Sequence, residues 1–250
     1  MRKKKILYAA AGVILLLCTM VLLVAAKIWN INGLWARAYP LSGIDVSHYQ
    51  GEMDWEKAKE LGADFAFIKA TEGSSHVDSR FAASWQQAQD AGVLAGAYHF
   101  FSFDSPGATQ AELYMETVGD LSGKLVPVVD AEYYGDKRLH PPDKAQVTGE
   151  LQTLLDILEE YYGKKPMIYT TYSFYRRYLE DGFEAYPLWV RNVYYPPFDI
   201  GRQWQFWQYS DRGESPGKGG QEKYVDWNVF YGGREDMGEF VVPGSEMQKK

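Results

Sequence analysis

The sequence predicts an α/β fold: an irregular β/α barrel with eight strands and fewer helices, preceded by one N-terminal transmembrane helix. Three observations support this prediction. The 250-residue chain is 46% hydrophobic and 24% charged, an ordinary globular composition, and about 200 residues suit one large domain. Strand-like and helix-like segments alternate early in the chain, whereas bare strand-like segments follow late. A long uncharged stretch precedes all of them.

The uncharged stretch covers residues 6–26 and follows the basic residues 1–5. About 20 apolar residues are needed to cross a bilayer, whereas the apolar region of a cleavable signal has about 7–15. We therefore expect a retained single-pass anchor at the cell membrane, with residues 1–5 in the cytoplasm and the rest outside. Small residues at 24–26 and 36–38 leave cleavage and secretion as the alternative, and both outcomes export the domain.

Charge is distributed unevenly between the N-terminal segment and the rest. Residues 1–38 contain six of the 26 Lys and Arg and none of the 33 Asp and Glu. The rest of the chain therefore has 20 basic and 33 acidic side chains. An acidic domain binds nucleic acid poorly, because that binding depends on Lys and Arg neutralising phosphates. The only cysteine, Cys18, lies in the apolar stretch, so no disulfide is expected within the domain.

The elements follow a linker expected over residues 27–42. The predicted strands are 43–47, 65–70, 94–101, 125–132, 166–170, 187–190, 206–209 and 224–228. The predicted helices are 54–61, 81–91, 108–118, 143–162 and 172–178. Asp54 suits the N-cap of the first helix, and Gly92 ends the second. The barrel is expected over residues 43–231, and the stretch 232–250, rich in Gly, Glu and Lys, is expected to be a flexible tail.

Two carboxylates, Asp130 and Glu132, end the fourth predicted strand. Side chains alternate between the faces of a strand, so both point toward one spot. Like charges held close together raise one pKa, which makes an acid/base pair possible. An exposed acidic strand end before the loop 133–136 is the alternative on this evidence alone.

Polar and aromatic residues also collect at or near the ends of the other predicted strands. They are Asp45, Lys69, Glu72, Tyr98, His99, Tyr169, Trp189, Gln208 and Asp226. In a parallel barrel the carboxyl ends of the strands form the face that carries the active site. We therefore predict that the barrel is TIM-like and that one site at this face contains four carboxylates. His48 and His99 lack a metal-ligand spacing such as His-Glu-x-x-His, so we expect hydrogen-bonded barrel histidines, no metal site and no cofactor.

Six blocks in order along the chain resemble the signature blocks of glycoside hydrolase family 25, the lysozymes of the N-acetylmuramidase type. They are residues 45–51 (DVSHYQG), 67–73 (FIKATEG), 96–100 (GAYHF), 130–132 (DAE), 207–209 (WQY) and 225–228 (VDWN). The resemblance covers nearly all of the exported domain. It implies an irregular β/α barrel and cleavage, with retention of configuration, of the β-1,4 bond between N-acetylmuramic acid and N-acetylglucosamine in peptidoglycan.

The resemblance also implies roles for the four carboxylates. Glu132 would be the general acid, and Asp130, Asp45 and Asp226 would face an oxocarbenium-like transition state with negative charge. Retention has two routes: Asp130 attacks the anomeric carbon, or it orients the substrate's own 2-acetamido group, which attacks instead. We favour the second route because the substrate carries that acetamide.

The remaining rim residues would bind substrate. Tyr98, Tyr169 and Trp189 would stack on sugar rings or hydrogen-bond to them, and Gln208 would hold an acetamide or a hydroxyl. Lys69 would neutralise carboxylates or meet a lactyl group. Peptidoglycan glycan strands are the expected partner, the membrane is contacted through the N-terminal helix, and a monomer is expected. A metal-dependent hydrolase built on the carboxylates and a non-catalytic glycan-binding domain are the alternatives.

Overall fold

The computed structural model describes residues 2–25 and 31–244. Its strands are β1 (Ser42–Val46), β2 (Gly51–Met53), β3 (Phe65–Glu72), β4 (His76–Val77), β5 (Leu94–Phe100), β6 (Val128–Ala131), β7 (Met167–Thr171), β8 (Leu188–Arg191), β9 (Phe206–Glu214), β10 (Gly217–Gly219) and β11 (Tyr224–Phe230). Eight of them close a barrel in the order β1-β11-β9-β8-β7-β6-β5-β3, with β3 pairing back to β1. The predicted eight-stranded barrel is therefore confirmed.

The last barrel strand departs from the expected parallel arrangement. β11 is antiparallel to both β1 and β9, whereas the other barrel neighbours are parallel. Only the short segment 215–223 joins β9 to β11, and a parallel pairing would need a crossover of a dozen or more residues. The start of β11 consequently lies at the rim where the parallel strands end, and this brings Asp226 to that rim.

The helices are fewer on the second half of the barrel, as predicted. They are α1 (Arg2–Ala25), α2 (Asn32–Ala36), α3 (Trp55–Glu60), α4 (Phe81–Asp90), α5 (Gly107–Val118), α6 (Lys144–Tyr162), α7 (Tyr172–Phe174) and α8 (Arg234–Met237). The Asp54 carboxylate accepts from the Lys57 amide at the start of α3, so the predicted N-cap is confirmed. Between β8 and α8 every described residue lies in a strand, turn or loop.

The barrel interior is filled by aromatic side chains from alternate strand positions. Phe65, Phe67 and Lys69 are successive inward positions of β3, consistent with the period of two. The phenyl ring of Phe67 lies over Gly96, where a Cβ atom would come within 2.8 Å of it. The two phenylalanines are fully buried, and Lys69 above them lines an open cavity. The dry core therefore ends one layer below the polar rim.

Residues 31–41 of the predicted linker 27–42 pack on the barrel, and residues 27–30 lie outside the described part. Asn32 of α2 is fully buried, and its amide donates to the backbone carbonyls of Asn192 and Tyr209, both at 3.0 Å. Tyr39 packs edge-on against Trp204 with ring centroids 5.5 Å apart. The segment packs on the barrel because it satisfies buried carbonyl groups and covers aromatic surface.

Residues 232–244 of the predicted tail 232–250 pack on the barrel, and residues 245–250 are outside the described part. α8 is followed by a 3-10 turn, and the Phe240 ring lies 5.6 Å from that of Phe230. The Val126 amide donates to the Phe240 carbonyl at 2.8 Å, and the buried Val242 donates to the Lys124 carbonyl at 2.8 Å. Apolar burial and backbone pairing thus close the bottom of the barrel.

One helix in the described residues is long and apolar enough to cross a membrane. It covers Lys4–Val24 of α1, with a mean hydropathy of 2.6 and no burial against the barrel. Residue 26, the last of the predicted anchor, falls outside the described part. A helix that is apolar on all sides requires either a buried or a membrane environment.

Candidate active site

One cavity of about 190 Å³ opens at the rim formed by the carboxyl ends of the parallel strands. Its lining includes all nine residues predicted for the site: Asp45, Lys69, Tyr98, Asp130, Glu132, Tyr169, Trp189, Gln208 and Asp226. The nine residues thus line one cavity, whereas their contacts could not be predicted from the sequence.

Strand register explains why these side chains meet. Asp130 pairs with Tyr169 on β7, Tyr169 pairs with Trp189 on β8, and Asp45 pairs with Asp226 on β11. Partners at the same level of neighbouring strands point to the same side of a sheet. The β11 ladder to β9 also shifts register around Asp226, and such bulges redirect a side chain.

Two of the carboxylates are bound by amide groups. The Gln208 amide donates to Asp45 Oδ2 at 2.9 Å and to Asp226 Oδ2 at 3.0 Å. Asn228 donates to the same Asp45 oxygen at 2.8 Å. Asn228 was not predicted as a site residue, although it lies two residues after Asp226 and follows the same alternation as Asp130 and Glu132.

Two aromatic residues hold these amides in orientation. The Tyr169 hydroxyl donates to Gln208 Oε1 at 3.1 Å, and Trp189 Nε1 donates to Asn228 Oδ1 at 2.8 Å. One face of the Trp189 indole also stacks on Phe67, with centroids 4.4 Å apart. Tyr169, Trp189 and Gln208 are therefore the buried floor of the cavity. Their main polar groups already have partners in the protein.

The other two carboxylates have no such support. Asp130 is 8% exposed, and its Oδ1 is buried without a hydrogen-bond partner among the described residues. Glu132 follows directly after β6, is partly exposed, and makes no hydrogen bond in the described part of the chain. An unpaired buried oxygen costs free energy, so a ligand that donates a hydrogen bond to Asp130 would relieve that cost.

Burial raises the pKa of each of the four predicted carboxylates, Asp45, Asp130, Glu132 and Asp226. The pKa of Asp45 rises to about 6 through burial, against the hydrogen bonds from Asn228 and Gln208. Burial and the nearby Glu132 charge raise the pKa of Asp130 well above its usual range, and burial raises that of Asp226 similarly. Burial raises the pKa of Glu132 to about 6, opposed by the Arg191 charge. Burial therefore opposes ionisation of all four groups, and it lets Glu132 keep a proton at mildly acidic pH.

Lys69 and Tyr98 complete the cavity on its β3–β5 side. Lys69 Nζ lies 2.7 Å from Glu72 Oε2 and 4.9 Å from the centre of the Phe100 ring. The Tyr98 hydroxyl makes no hydrogen bond within the described residues. Burial and the surrounding carboxylates keep its pKa well above 10, so it remains a protonated donor available to a ligand.

A second cavity of about 430 Å³ begins at Glu132 and runs along the loops after β6, β7 and β8. Tyrosines and two arginines line much of it: Tyr133, Arg138, Tyr172, Arg191, Tyr194 and Tyr195. Arg191 pairs with Asp211 at 2.9 Å. Arg191 was not predicted as a site residue, although it follows Trp189 by two residues and so shares its inward direction.

His48 and His99 are hydrogen-bonded within the fold, as predicted. His99 is fully buried between Thr71 Oγ1 at 2.7 Å and Gln110 Oε1 at 3.0 Å. Burial lowers its pKa to about 4, so the ring is neutral at ordinary pH. His48 Nδ1 lies 2.7 Å from Asp78. Within residues 2–25 and 31–244, no three His, Cys, Asp or Glu side chains are grouped so that they could hold a metal ion.

Comparison with known proteins gives consistent relatives in sequence and in structure. Residues 44–218 match the family model described as glycosyl hydrolases family 25. YegX, an uncharacterized protein of Escherichia coli K12, is 38% identical over 82% of this chain and 74% of its own. Lysozyme M1 of Streptomyces globisporus is 35% identical, over 77% of this chain and 68% of its own.

A solved structure agrees with these sequence relatives. A family 25 glycosyl hydrolase from Bacillus anthracis superposes with a TM-score of 0.76 and 43% identity, covering 82% of this chain and 94% of that one. The family match spans more than half of the chain and includes the carboxylates of β1 and β6. The chain therefore belongs to glycosyl hydrolase family 25, and it is a glycoside hydrolase.

Proposed function

We propose that the protein hydrolyses the β-1,4 bond between N-acetylmuramic acid and N-acetylglucosamine in peptidoglycan, with retention of configuration. The observation that carries the proposal is the unpaired, buried Asp130 Oδ1 beside the partly exposed Glu132. A substrate whose acetamide N–H donates to Asp130 Oδ1 would satisfy this acceptor. The same substrate would place its glycosidic bond beside Glu132, whose raised pKa suits the protonation of that bond.

Glu132 is the general acid in this proposal. Its pKa of about 6 leaves a protonated fraction at mildly acidic pH, and its partial exposure lets it reach the glycosidic oxygen. As the bond from the anomeric carbon to the leaving oxygen breaks, the Glu132 proton passes to that oxygen. Glu132 then acts as the base for the water that completes hydrolysis.

Asp130 orients the substrate's acetamide. Its free oxygen accepts the acetamide N–H, and the acetamide carbonyl oxygen bonds to the anomeric carbon as the leaving group departs. Water then attacks the same carbon and reopens the ring formed by the acetamide, which yields retention through two inversions. Direct attack by Asp130 is the competing route to the same product, and a covalent sugar adduct on Asp130 would support that route instead.

Asp45 and Asp226 supply negative charge toward the oxocarbenium-like transition state. Gln208 and Asn228 hold their oxygens in place, so little reorganisation is needed as positive charge develops. Tyr98 donates to a sugar hydroxyl or acetamide, and Lys69 meets a carboxylate or lactyl group at the rim.

Peptidoglycan close to the membrane is the proposed site of action. We propose that α1 remains as an anchor and that the barrel lies outside, where it remodels its owner's cell wall as a monomer without a cofactor. Recovery of the protein in the membrane fraction would support the anchor. A soluble, N-terminally trimmed form in the medium would contradict it.

Mass spectrometry of the fragments released from purified peptidoglycan tests the reaction. Muramic acid at the new reducing ends is the expected result, and N-acetylglucosamine there would mean a glucosaminidase. Binding of cell wall without new reducing ends would identify a glycan-binding domain. Loss of activity on adding a chelator would favour a metal-dependent hydrolase.

A further inference from the structure

Five large apolar side chains are exposed on α2 and on the loop after β8, two segments that line one cavity through Trp35, Tyr194, Tyr195 and Phe198. Leu34 and Trp35 of α2 are each 58% exposed, and the loop after β8 exposes Tyr194 by 45%, Tyr195 by 39% and Phe198 by 80%. We call these five residues the aromatic patch. Neither Leu34-Trp35 nor the loop segment 193–198 contains a charged side chain, and clustered apolar exposure of this kind marks an interaction surface.

The patch is held in shape by hydrogen bonds. Buried Asn32 donates to the Asn192 carbonyl at 3.0 Å, and Trp207 Nε1 donates to the same carbonyl at 2.8 Å. The Asn192 side chain in turn accepts from the amides of Tyr194 and Tyr195 at 3.1 and 3.3 Å. These hydrogen bonds therefore fix the loop after β8 to the barrel at Asn192, so the patch has a defined shape.

The patch is continuous with one stripe of α1. A cavity of about 530 Å³, lined almost entirely by apolar atoms, lies between patch residues and Leu17, Met20, Val21 and Val24. These four positions are spaced i, i+3, i+4 and i+7, so they form one face of the helix. They extend about 10 Å along α1 at 1.5 Å per residue.

We propose that the aromatic patch contacts the outer leaflet of the bilayer beside α1 and seats the barrel on the membrane. This inference rests on the proposed anchoring of α1. A bilayer fits better than a protein partner because α1 exposes apolar side chains on its other sides as well, and only lipid covers all of them together. Trp and Tyr are the residues enriched where hydrocarbon meets water.

Seating the patch on the bilayer places the catalytic carboxylates close to it. Tyr194 and Tyr195 line both the cavity against α1 and the cavity that begins at Glu132. A glycan lying along the second cavity would thus run from Glu132 toward the membrane surface. The substrate class selected by this geometry is the glycan nearest the bilayer, rather than the outer layers of the wall.

Depth-dependent quenching of a fluorophore tests the contact in the full chain. Cys18 is the only cysteine, so a Cys18→Ser background allows single labels at Phe198→Cys or Trp35→Cys, with Tyr161→Cys as the control. Tyr161 is 59% exposed, close to the value for Trp35, but lies near the end of α6 at the opposite end of the barrel. The chain is reconstituted into phosphatidylcholine vesicles that contain headgroup-proximal spin-labelled lipid for the labels at 198, 35 and 161, or lipid spin-labelled in the acyl chain for the label at 18.

Labels at positions 198 and 35 are expected to be quenched at least about twofold more than the label at 161, because patch residues lie at the interface. A label on the native Cys18 reports separately whether α1 is inserted. Quenching at 18 but equal, weak quenching at 198, 35 and 161 would overturn the seating and leave the anchor intact. Absence of quenching at 18 would overturn the anchor, and with it the seating.

Discussion

The two carboxylate pairs in the cavity are treated differently by the protein. Asp45 and Asp226 share the Gln208 amide, and Asp45 also accepts from Asn228. On the opposite side, Asp130 Oδ1 has no donor, and Glu132 makes no hydrogen bond in the described part of the chain. One half of the site is complete in the free protein, whereas the other lacks partners that a substrate can supply.

This difference suits the two pairs to different roles: electrostatic stabilisation for Asp45 and Asp226, and direct participation in the reaction for Asp130 and Glu132. Hydrogen-bonded carboxylates are fixed in place and cost less to bury, which suits groups that face developing positive charge. Unpaired carboxylates cost more to bury but can exchange a proton or accept a new hydrogen bond. Substitutions of Asp130 or Glu132 should therefore affect turnover most. Substitutions that remove a hydrogen bond to Asp45 or Asp226 should affect stability most.

Glu132→Gln should produce the largest loss of activity. The amide retains the size of the side chain but cannot donate a proton to the leaving oxygen, so turnover should fall about 10²- to 10⁴-fold. Release of reducing ends from peptidoglycan measures the loss, and sedimentation with cell walls shows that binding persists. Glu222→Gln is a matched control, because Glu222 lines the same cavity but accepts from Gln50 at 2.6 Å; equal losses would contradict the assignment.

Asp130→Asn should lower turnover by about 10²- to 10³-fold, because a neutral side chain no longer orients and stabilises the reacting acetamide. Unlike most substitutions of buried residues, it should leave the melting temperature at neutral pH unchanged or higher, since it replaces a carboxyl group whose ionisation is opposed by burial and by the Glu132 charge. Thermal unfolding and kinetics on the same preparation give both values. Turnover close to wild type would remove Asp130 from the mechanism.

Asn228→Ala tests the hydrogen-bonded carboxylate pair, Asp45 and Asp226. It removes a donor to Asp45 and leaves Trp189 Nε1 without its acceptor, so the free energy of unfolding should fall by about 1–3 kcal/mol. The loss of turnover should be smaller than for Asp130→Asn. Denaturant unfolding measures the first change, and a variant as stable as wild type would show that the amide framework is dispensable.

Strand alternation and strand ends were sufficient to predict most of the cavity. They placed Asp130 and Glu132 together because that inference needs only a period of two. They could not show that β11 is antiparallel, since direction follows from how the short connection after β9 packs. Nor could they reveal that Gln208 bridges Asp45 and Asp226, because that contact joins positions 163 and 18 residues apart in the chain.

The packing of the two terminal segments on the barrel was not predicted either, for a related reason. Residues 31–41 and 232–244 lack long periodic patterns, so they resembled a linker and a tail. Their packing depends on single groups, such as the Asn32 amide that satisfies two barrel carbonyls. The apolar run Phe240-Val241-Val242 was the one local signal of burial near the C-terminus. Composition alone does not reveal contacts that depend on a distant partner.

Arg191→Gln should give the smallest effect, a shift in the pH dependence of turnover. The general acid must be protonated, so activity falls as pH rises through the Glu132 pKa of about 6, and the Arg191 charge keeps that pKa from rising further. Without Arg191 the pKa of Glu132 rises, and the alkaline limb of the kcat profile should move to higher pH. Arg234→Gln, which removes an exposed pair with Asp64, should leave the limb in place. A limb that stays fixed, or moves to lower pH, would mean that Glu132 does not carry the proton whose loss ends activity.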